Sequence, residues 1–226
     1  MKQSNRYFNF TNYFNSDVNA ILTKNHVDNF KKNVRQLAVD FNLDPSLLVI
    51  PDQVHSYNIS IIKDDYNPFF TDGIITQNPK HILTLKVADC APIYFEDASN
   101  NLRGLIHSGW RGTESKIIVQ AIKMSQNLGS QLSNINFFIG PCISQEIYEV
   151  SSDVAEKFNS KQVLKKKNSY YLNLKGQITS DILSLGINLS QIRYSNICTY
   201  NSKECFSYRR QGRLSNRMYA FFWKQD

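Results

Sequence analysis

The 226-residue sequence predicts a layered α/β or α+β fold with mixed sheets. Short apolar runs with strand character interleave with helical stripes, but without the regular strand–helix–strand repeat that builds a doubly wound parallel sheet. No internal repeat, low-complexity tract or Pro/Gly-rich linker divides the chain, so a single domain over residues 1–226 is expected.

The elements follow in order. Val27, Phe30, Val34, Leu37, Ala38 and Phe41 form a helical stripe that predicts a helix over 27–41 packed on a sheet. Ile59–Ile62 and Gly73–Thr76 read as short strands. His81–Val87 alternates apolar and polar residues and ends in the turn-like Ala88-Asp89-Cys90-Ala91-Pro92, which puts Cys90 at a strand end. Ile93–Phe95 and Leu102–Ile106 are the next strands, joined by a polar turn, and the second runs directly into His107. After His107-Ser108-Gly109-Trp110-Arg111-Gly112, Thr113 is expected to cap a helix with Ile117, Ile118, Ala121, Ile122 and Met124 on its apolar face, ending at Gly129. Phe137–Ile139 reads as a buried strand, Ser152–Phe158 and Leu174–Leu185 as helices, the latter closed by Gly186, and the tail as short strands.

Composition removes several classes of function. With 42% hydrophobic residues and no run near the ~20 apolar residues of a membrane span, no membrane role is expected. The segment MKQSNRYFNFTNYF has no apolar signal core, so cytoplasmic residence is the default. Cys90, Cys142, Cys198 and Cys205 are too sparse for a disulfide scaffold. The net charge of +7 suits an anionic partner, but Lys165-Lys166-Lys167 and Arg209-Arg210 are short clusters outside any nucleic-acid module, so a small anionic substrate is expected and nucleic acid is not.

The chain has only four histidines, His26, His55, His81 and His107. A multicopper oxidase needs on the order of ten imidazole ligands, because Cu(II) favours nitrogen-rich sites, and this chain cannot supply them. Two histidines and one thiolate do suffice for a mononuclear zinc site of the catalytic type, with three protein ligands and an open fourth position. His55, Cys90 and His107, each in a loop at the end of an apolar run, are the candidates. Spacing alone leaves two chemistries open, a metal site or a cysteine nucleophile with a histidine base. His26 and His81 lack motif context and are read as solvated or capping. Cys142, Cys198 and Cys205 are read as buried, and Trp110 as a core anchor.

The motifs Gln53-Val54-His55, Val87-Ala88-Asp89-Cys90-Ala91-Pro92-Ile93, His107-Ser108-Gly109-Trp110-Arg111-Gly112, Ile139-Gly140-Pro141-Cys142-Ile143, Tyr148-Glu149-Val150, Cys198-Thr199 and Phe206-Ser207-Tyr208-Arg209-Arg210 fall in one order along the chain. From about Val27 onward they resemble the laccase-domain family, once labelled multicopper polyphenol oxidases and now described as zinc-dependent purine nucleoside phosphorylases. The resemblance implies a layered α/β/β/α domain like that of the cytotoxic necrotizing factors, with Zn2+ rather than copper held by His55, Cys90 and His107. It also implies phosphorolysis of adenosine, inosine, guanosine and methylthioadenosine, with hydrolytic deamination of adenosine. A related branch resembles peptidoglycan editing factors, so a hydrolase of a UDP-muramoyl-serine precursor is the second expectation, and a zinc-binding member without turnover the third.

Zinc with one thiolate and two imidazoles can bring the pKa of a water towards ~7, which suits attack on a purine C6 or an amide carbon. Cys90, Asp89 and Arg111 are therefore the expected catalytic residues, with Asp89 preferred over Glu114 as general acid/base. Phosphorolysis needs cations around the phosphate, and Arg111, Arg209 and Arg210 are the expected anion holders. Two segments depart from the family pattern. The usual Thr-x-Arg-x-Gly-Gly-Val-Ser opening is replaced by Thr11-Asn12-Tyr13-Phe14-Asn15-Ser16, which lacks the arginine and both glycines, and the tail's Thr-Gly-Arg by a segment in which Arg217 can take the last arginine's place.

Overall fold

The structure is a computed structural model, and it describes residues 6–14, 17–25, 34–63 and 68–225. In chain order the strands are β1 (Tyr7–Asn9), β2 (Val18–Thr23), β3 (Leu48–Val49), β4 (Ile59–Ile62), β5 (Gly73–Thr76), β6 (Ile82–Val87), β7 (Ala91–Asp97), β8 (Leu102–Ser108), β9 (Asn136–Ile139), β10 (Glu149–Val150), β11 (Val163–Lys166), β12 (Ser169–Leu172), β13 (Ile192–Tyr194) and β14 (Met218–Lys224). The α-helices are α1 (Val34–Asp40), α2 (Trp110–Glu114), α3 (Ile117–Asn127), α4 (Ser152–Ala155), α5 (Leu174–Leu183) and α6 (Tyr208–Gln211).

Two mixed sheets stack face to face. The first has the order β1-β2-β14-β6-β3, and the second β13-β9-β7-β8-β5-β4. Ala20, Leu22, Leu83, Leu85 and Phe222 from the first pack against Ile74, Tyr94, Leu105 and Phe138 from the second, forming the central core. The outer face of the first sheet, with Ile21, Ile82 and Phe221, is covered by Leu37 and Ala38 of α1. The outer face of the second, with Ile75, Ile93, Phe95 and Ile139, is covered by α3 and α5 through Ile118, Ile122, Ile178 and Ile182. These layers are the α/β/β/α arrangement the sequence resemblance implies. A small antiparallel sheet, β10-β12-β11, sits to one side and shares a satellite core with Val154, Phe158 and Trp110.

Several expectations change. The helix expected over 27–41 is α1 from Val34; Val27, Phe30 and His26 lie outside the described residues. Thr113 caps nothing, because it lies inside α2, where its hydroxyl pairs with that of Ser108 at 2.7 Å. Gly109 takes the N-cap of α2, and Lys116, with φ 61°, breaks the chain before α3. The alternation in β6 does not mark a solvated face: Thr84 is fully buried, because both faces of the sheet are covered. Residues Ser152–Phe158 give only the short α4. His81 is buried rather than solvated, with its Nδ1 2.8 Å from the hydroxyl of Thr76. β1, β2 and the β11–β12 hairpin were not expected, and the tail forms the seven-residue β14 in the middle of a sheet.

Candidate metal centre

Strand register assembles the centre. β7 pairs with β8 so that Pro92 faces His107 and Ala91 faces Ser108, which carries Cys90 to the same rim as His107. β5 pairs with the other edge of β8, placing Gly73 opposite Ile106, so Asp72 arrives beside His107, whose backbone N–H donates to the Asp72 carbonyl at 2.7 Å. His55 comes from the loop between β3 and β4. Its ring meets that of His107 edge to face, with centroids 4.8 Å apart. The donor atoms of His55, Cys90 and His107 all lie within 4.8 Å of one another, and among the described residues this is the sole cluster of three or more such side chains placed to hold a metal ion.

Three local features make the rim possible. His55 and Asp89 adopt left-handed backbone conformations, φ 59° and 79°, which non-glycine residues keep only where their surroundings hold them. Gly109 has an ordinary φ of −89°, so it is not needed for its conformational freedom. It is needed for space: a Cβ there would stand 2.7 Å from the Cys90 sulfur. The glycine of the His-Ser-Gly-Trp turn therefore keeps the thiolate's position open.

Asp72 was not singled out in the sequence, and it is the carboxylate that organises the centre. It is fully buried, and its Oδ1 lies 2.7 Å from His107 Nδ1. That contact leaves His107 Nε2 for the metal. Burial works against the charge on Asp72, but the bonds from His107 and Ser56 outweigh it and hold its pKa below the usual carboxylate value. Burial likewise opposes ionisation of Cys90, yet His107 and His55 bring the thiol down from 9.0 to about 6. For His107 burial disfavours the cation, while Cys90 and Asp72 raise its pKa to about 9. The donor set thus fits a divalent ion: one thiol poised as thiolate, and two imidazoles, one oriented by a carboxylate.

The three donors line a pocket of about 860 Å³. Arg111 lines it too, stacked with its guanidinium 4.3 Å from the centre of the Trp110 ring, which itself packs into the satellite core. Arg209 lies over Tyr148 and donates to the carbonyl of Glu149 at 2.8 Å. Arg210 is not a pocket residue; its guanidinium donates to the carbonyls of Thr199, Tyr200, Ser202 and Cys205 and so closes the 199–205 loop. Lys86 and Arg217, which the sequence did not mark as anion holders, do line the pocket.

Asp89 also reaches the pocket, but its carboxylate is engaged on both oxygens. Oδ1 accepts from the Thr199 hydroxyl at 2.6 Å, and Oδ2 from the Ser207 hydroxyl at 3.0 Å and the Arg209 backbone N–H at 2.7 Å. Glu114 lies outside the pocket lining. Cys142 is buried, its thiol pushed up to about 12 by burial; its backbone pairs with that of Cys198 in an isolated parallel β-bridge, and both are free thiols. Cys205 is buried as expected, and Cys198 is half-buried.

Fold and site define a layered α/β protein with a three-donor cluster that could hold a metal ion at the rim of one sheet. The family model described as multi-copper polyphenol oxidoreductase laccase matches residues 9–225, and the chain belongs to that family. It is 34% identical over 221 residues, 92% of this chain and 93% of the relative, to a protein of Borreliella burgdorferi named purine nucleoside phosphorylase. A Clostridium acetobutylicum protein of the same name is 31% identical over 96% of this chain and 92% of its own length. The crystal structure of YlmD from Geobacillus stearothermophilus superposes with a TM-score of 0.84 at 27% identity, over 93% of each chain. Among the described residues no helix is long and apolar enough to cross a membrane.

Proposed function

We propose that this chain is a zinc-dependent purine nucleoside phosphorylase acting on adenosine, inosine, guanosine and methylthioadenosine, with adenosine deaminase activity at the same site. The observation that carries the reading is the three-donor cluster His55, Cys90 and His107 in a pocket that Lys86, Arg111 and Arg209 also line. The naming of the Borreliella and Clostridium relatives supports it. With one cluster of three donors among the described residues, the site is suited to a single ion.

His55, Cys90 and His107 would hold the zinc, which would supply a Lewis acid in the pocket. Arg111 and Arg209 bind phosphate. Each guanidinium is held by an aromatic face, with backbone carbonyls also holding Arg209, which positions both for an anion. Asp89, expected as the general acid/base, also ties Cys90's turn to the 199 and 207 loops through three hydrogen bonds on its carboxylate. The Tyr148 hydroxyl is a hydrogen-bond donor for substrate in the same pocket; burial, with Cys90 adding to it, keeps the phenol protonated.

The test is release of free base from adenosine or inosine in the presence of phosphate, followed by chromatography. The zinc-loaded protein is expected to release base, and His55→Ala, Cys90→Ala and His107→Ala to abolish release. A zinc-loaded wild-type protein that releases none would refute the reading. One feature favours a second function. The pocket lies toward the upper end of the ~300–1,000 Å³ range of small-molecule sites, and Lys86 and Arg217 add cations beyond those one phosphate requires. A UDP-muramoyl-serine precursor is a larger anion of that kind. Its phosphate-independent hydrolysis in the same assay separates the two enzymes, and a protein that binds zinc but turns over neither substrate is the non-catalytic member.

A further inference from the structure

We infer that Asp72 is the positioning residue of the metal centre: a single carboxylate that selects the nitrogen His107 presents and holds the turn that carries His55. It acts on the metal half of the proposed function, whatever substrate the pocket takes.

Five donors converge on this one side chain. Beyond His107 Nδ1, Oδ1 accepts the His55 backbone N–H at 3.0 Å. Oδ2 accepts the Ser56 backbone N–H at 2.5 Å, the Ser56 hydroxyl at 2.8 Å and the Val54 N–H at 3.3 Å. Three successive amides pointing at one carboxylate form an anion nest. The nest holds the His55 backbone at its left-handed φ of 59°. The same carboxylate accepts from His107 Nδ1, and a carboxylate has no proton to give, so the neutral imidazole that binds a metal carries its proton on Nδ1 and offers its lone pair at Nε2. Two ligands from segments about fifty residues apart are thereby set by one group. No other acidic side chain makes a hydrogen bond to either histidine among the described residues.

An asparagine at position 72 has the same shape but carries one acceptor oxygen and turns an N–H2 towards groups that are themselves donors. Asp72→Asn is therefore expected to weaken zinc binding about 10–100-fold, the usual cost of losing a group that orients a metal-bound histidine. Ser56→Ala removes one of the five donors and is expected to give a smaller loss in the same direction.

The experiment measures the zinc dissociation constant of wild-type protein, Asp72→Asn and Ser56→Ala by competition with a chromophoric chelator. It adds the visible spectrum of the cobalt(II)-loaded proteins, the His107 tautomer from nitrogen NMR of the zinc-loaded proteins, and thermal melting of the metal-free proteins. The expected result is graded loss of affinity, a changed cobalt spectrum in Asp72→Asn, and an Nδ1-protonated His107 in wild-type protein. Wild-type zinc affinity in a cooperatively melting Asp72→Asn protein, or an Nε2-protonated His107 in the wild type, overturns the inference. Should Asp72→Asn fail to fold, Ser56→Ala decides, and unchanged affinity there overturns it equally. Wild-type protein that takes up no zinc overturns the cluster itself, whereas zinc uptake without base release removes only the substrate assignment.

Discussion

At the scale of single residues, the centre depends on one missing methyl group and one shifted thiol. Replacing Gly109 by alanine leaves a permitted backbone but sets a Cβ 2.7 Å from the Cys90 sulfur, so the sulfur or the turn must move. Gly109→Ala is expected to stay folded and to lose zinc affinity at least tenfold, on the order of the effect of disturbing a ligand's support; calorimetric titration with zinc checks it. The Cys90 thiol, brought down to about 6 by His107 and His55, should be mainly thiolate at neutral pH in chelator-treated protein. A thiol with a lowered pKa loses reactivity as pH falls through that value, so Cys90 carbamidomethylation by iodoacetamide is expected to be flat above about pH 7 and to fall about tenfold per unit below about 6. Cys142 and Cys205, pushed up by burial to about 12 and 11, remain thiols and should stay unlabelled by mass spectrometry over the same range. Bound zinc should protect Cys90.

At the scale of elements, Asp89 joins three segments that the sequence places far apart. Its carboxylate binds Thr199, Ser207 and Arg209, and its carbonyl accepts the Ile143 N–H at 3.0 Å. Asp89→Ala strands a buried hydroxyl pair and a backbone N–H, and losing buried partners costs about 1–3 kcal/mol per group left unsatisfied. A loss of about 2–4 kcal/mol in urea unfolding is expected, together with faster proteolysis around 199–209; unchanged stability would mean that the tie carries no weight. Strand ends are where this architecture presents chemistry, and that much was legible: Ile59–Ile62, Gly73–Thr76 and the run into His107 stand as the spacing predicts. The α2 turn was not, because its N-cap is a glycine chosen for space beside Cys90 rather than a side-chain cap of the usual kind.

At the scale of the whole molecule, the core between the sheets holds the rim rigid. Phe222 is fully buried in the middle of the first sheet and meets Tyr94 of the second edge to face, with ring centroids 5.6 Å apart. Phe222→Ala is expected to cost about 3–5 kcal/mol, the usual range for removing a buried aromatic ring, measured by chemical denaturation. Its strand lies near the C-terminus yet pairs with β2 on one side and β6 on the other, so the first sheet is completed only when the tail returns.

The sequence by itself determined the layered fold class, the three donor residues His55, Cys90 and His107 near strand ends, and the count of four histidines. The fold class and the histidine count follow from local periodicity and composition, which are written in neighbouring residues; the choice of metal over a cysteine nucleophile came from the family resemblance. Tertiary structure decided what depends on approach between distant segments. Register brought Asp72 to His107, the nest of amides at 54–56 enclosed its carboxylate, and the hydroxyls of Thr199 and Ser207 occupied the oxygens of Asp89. A carboxylate's role is set by which donors reach it first, and only the folded chain chooses those donors.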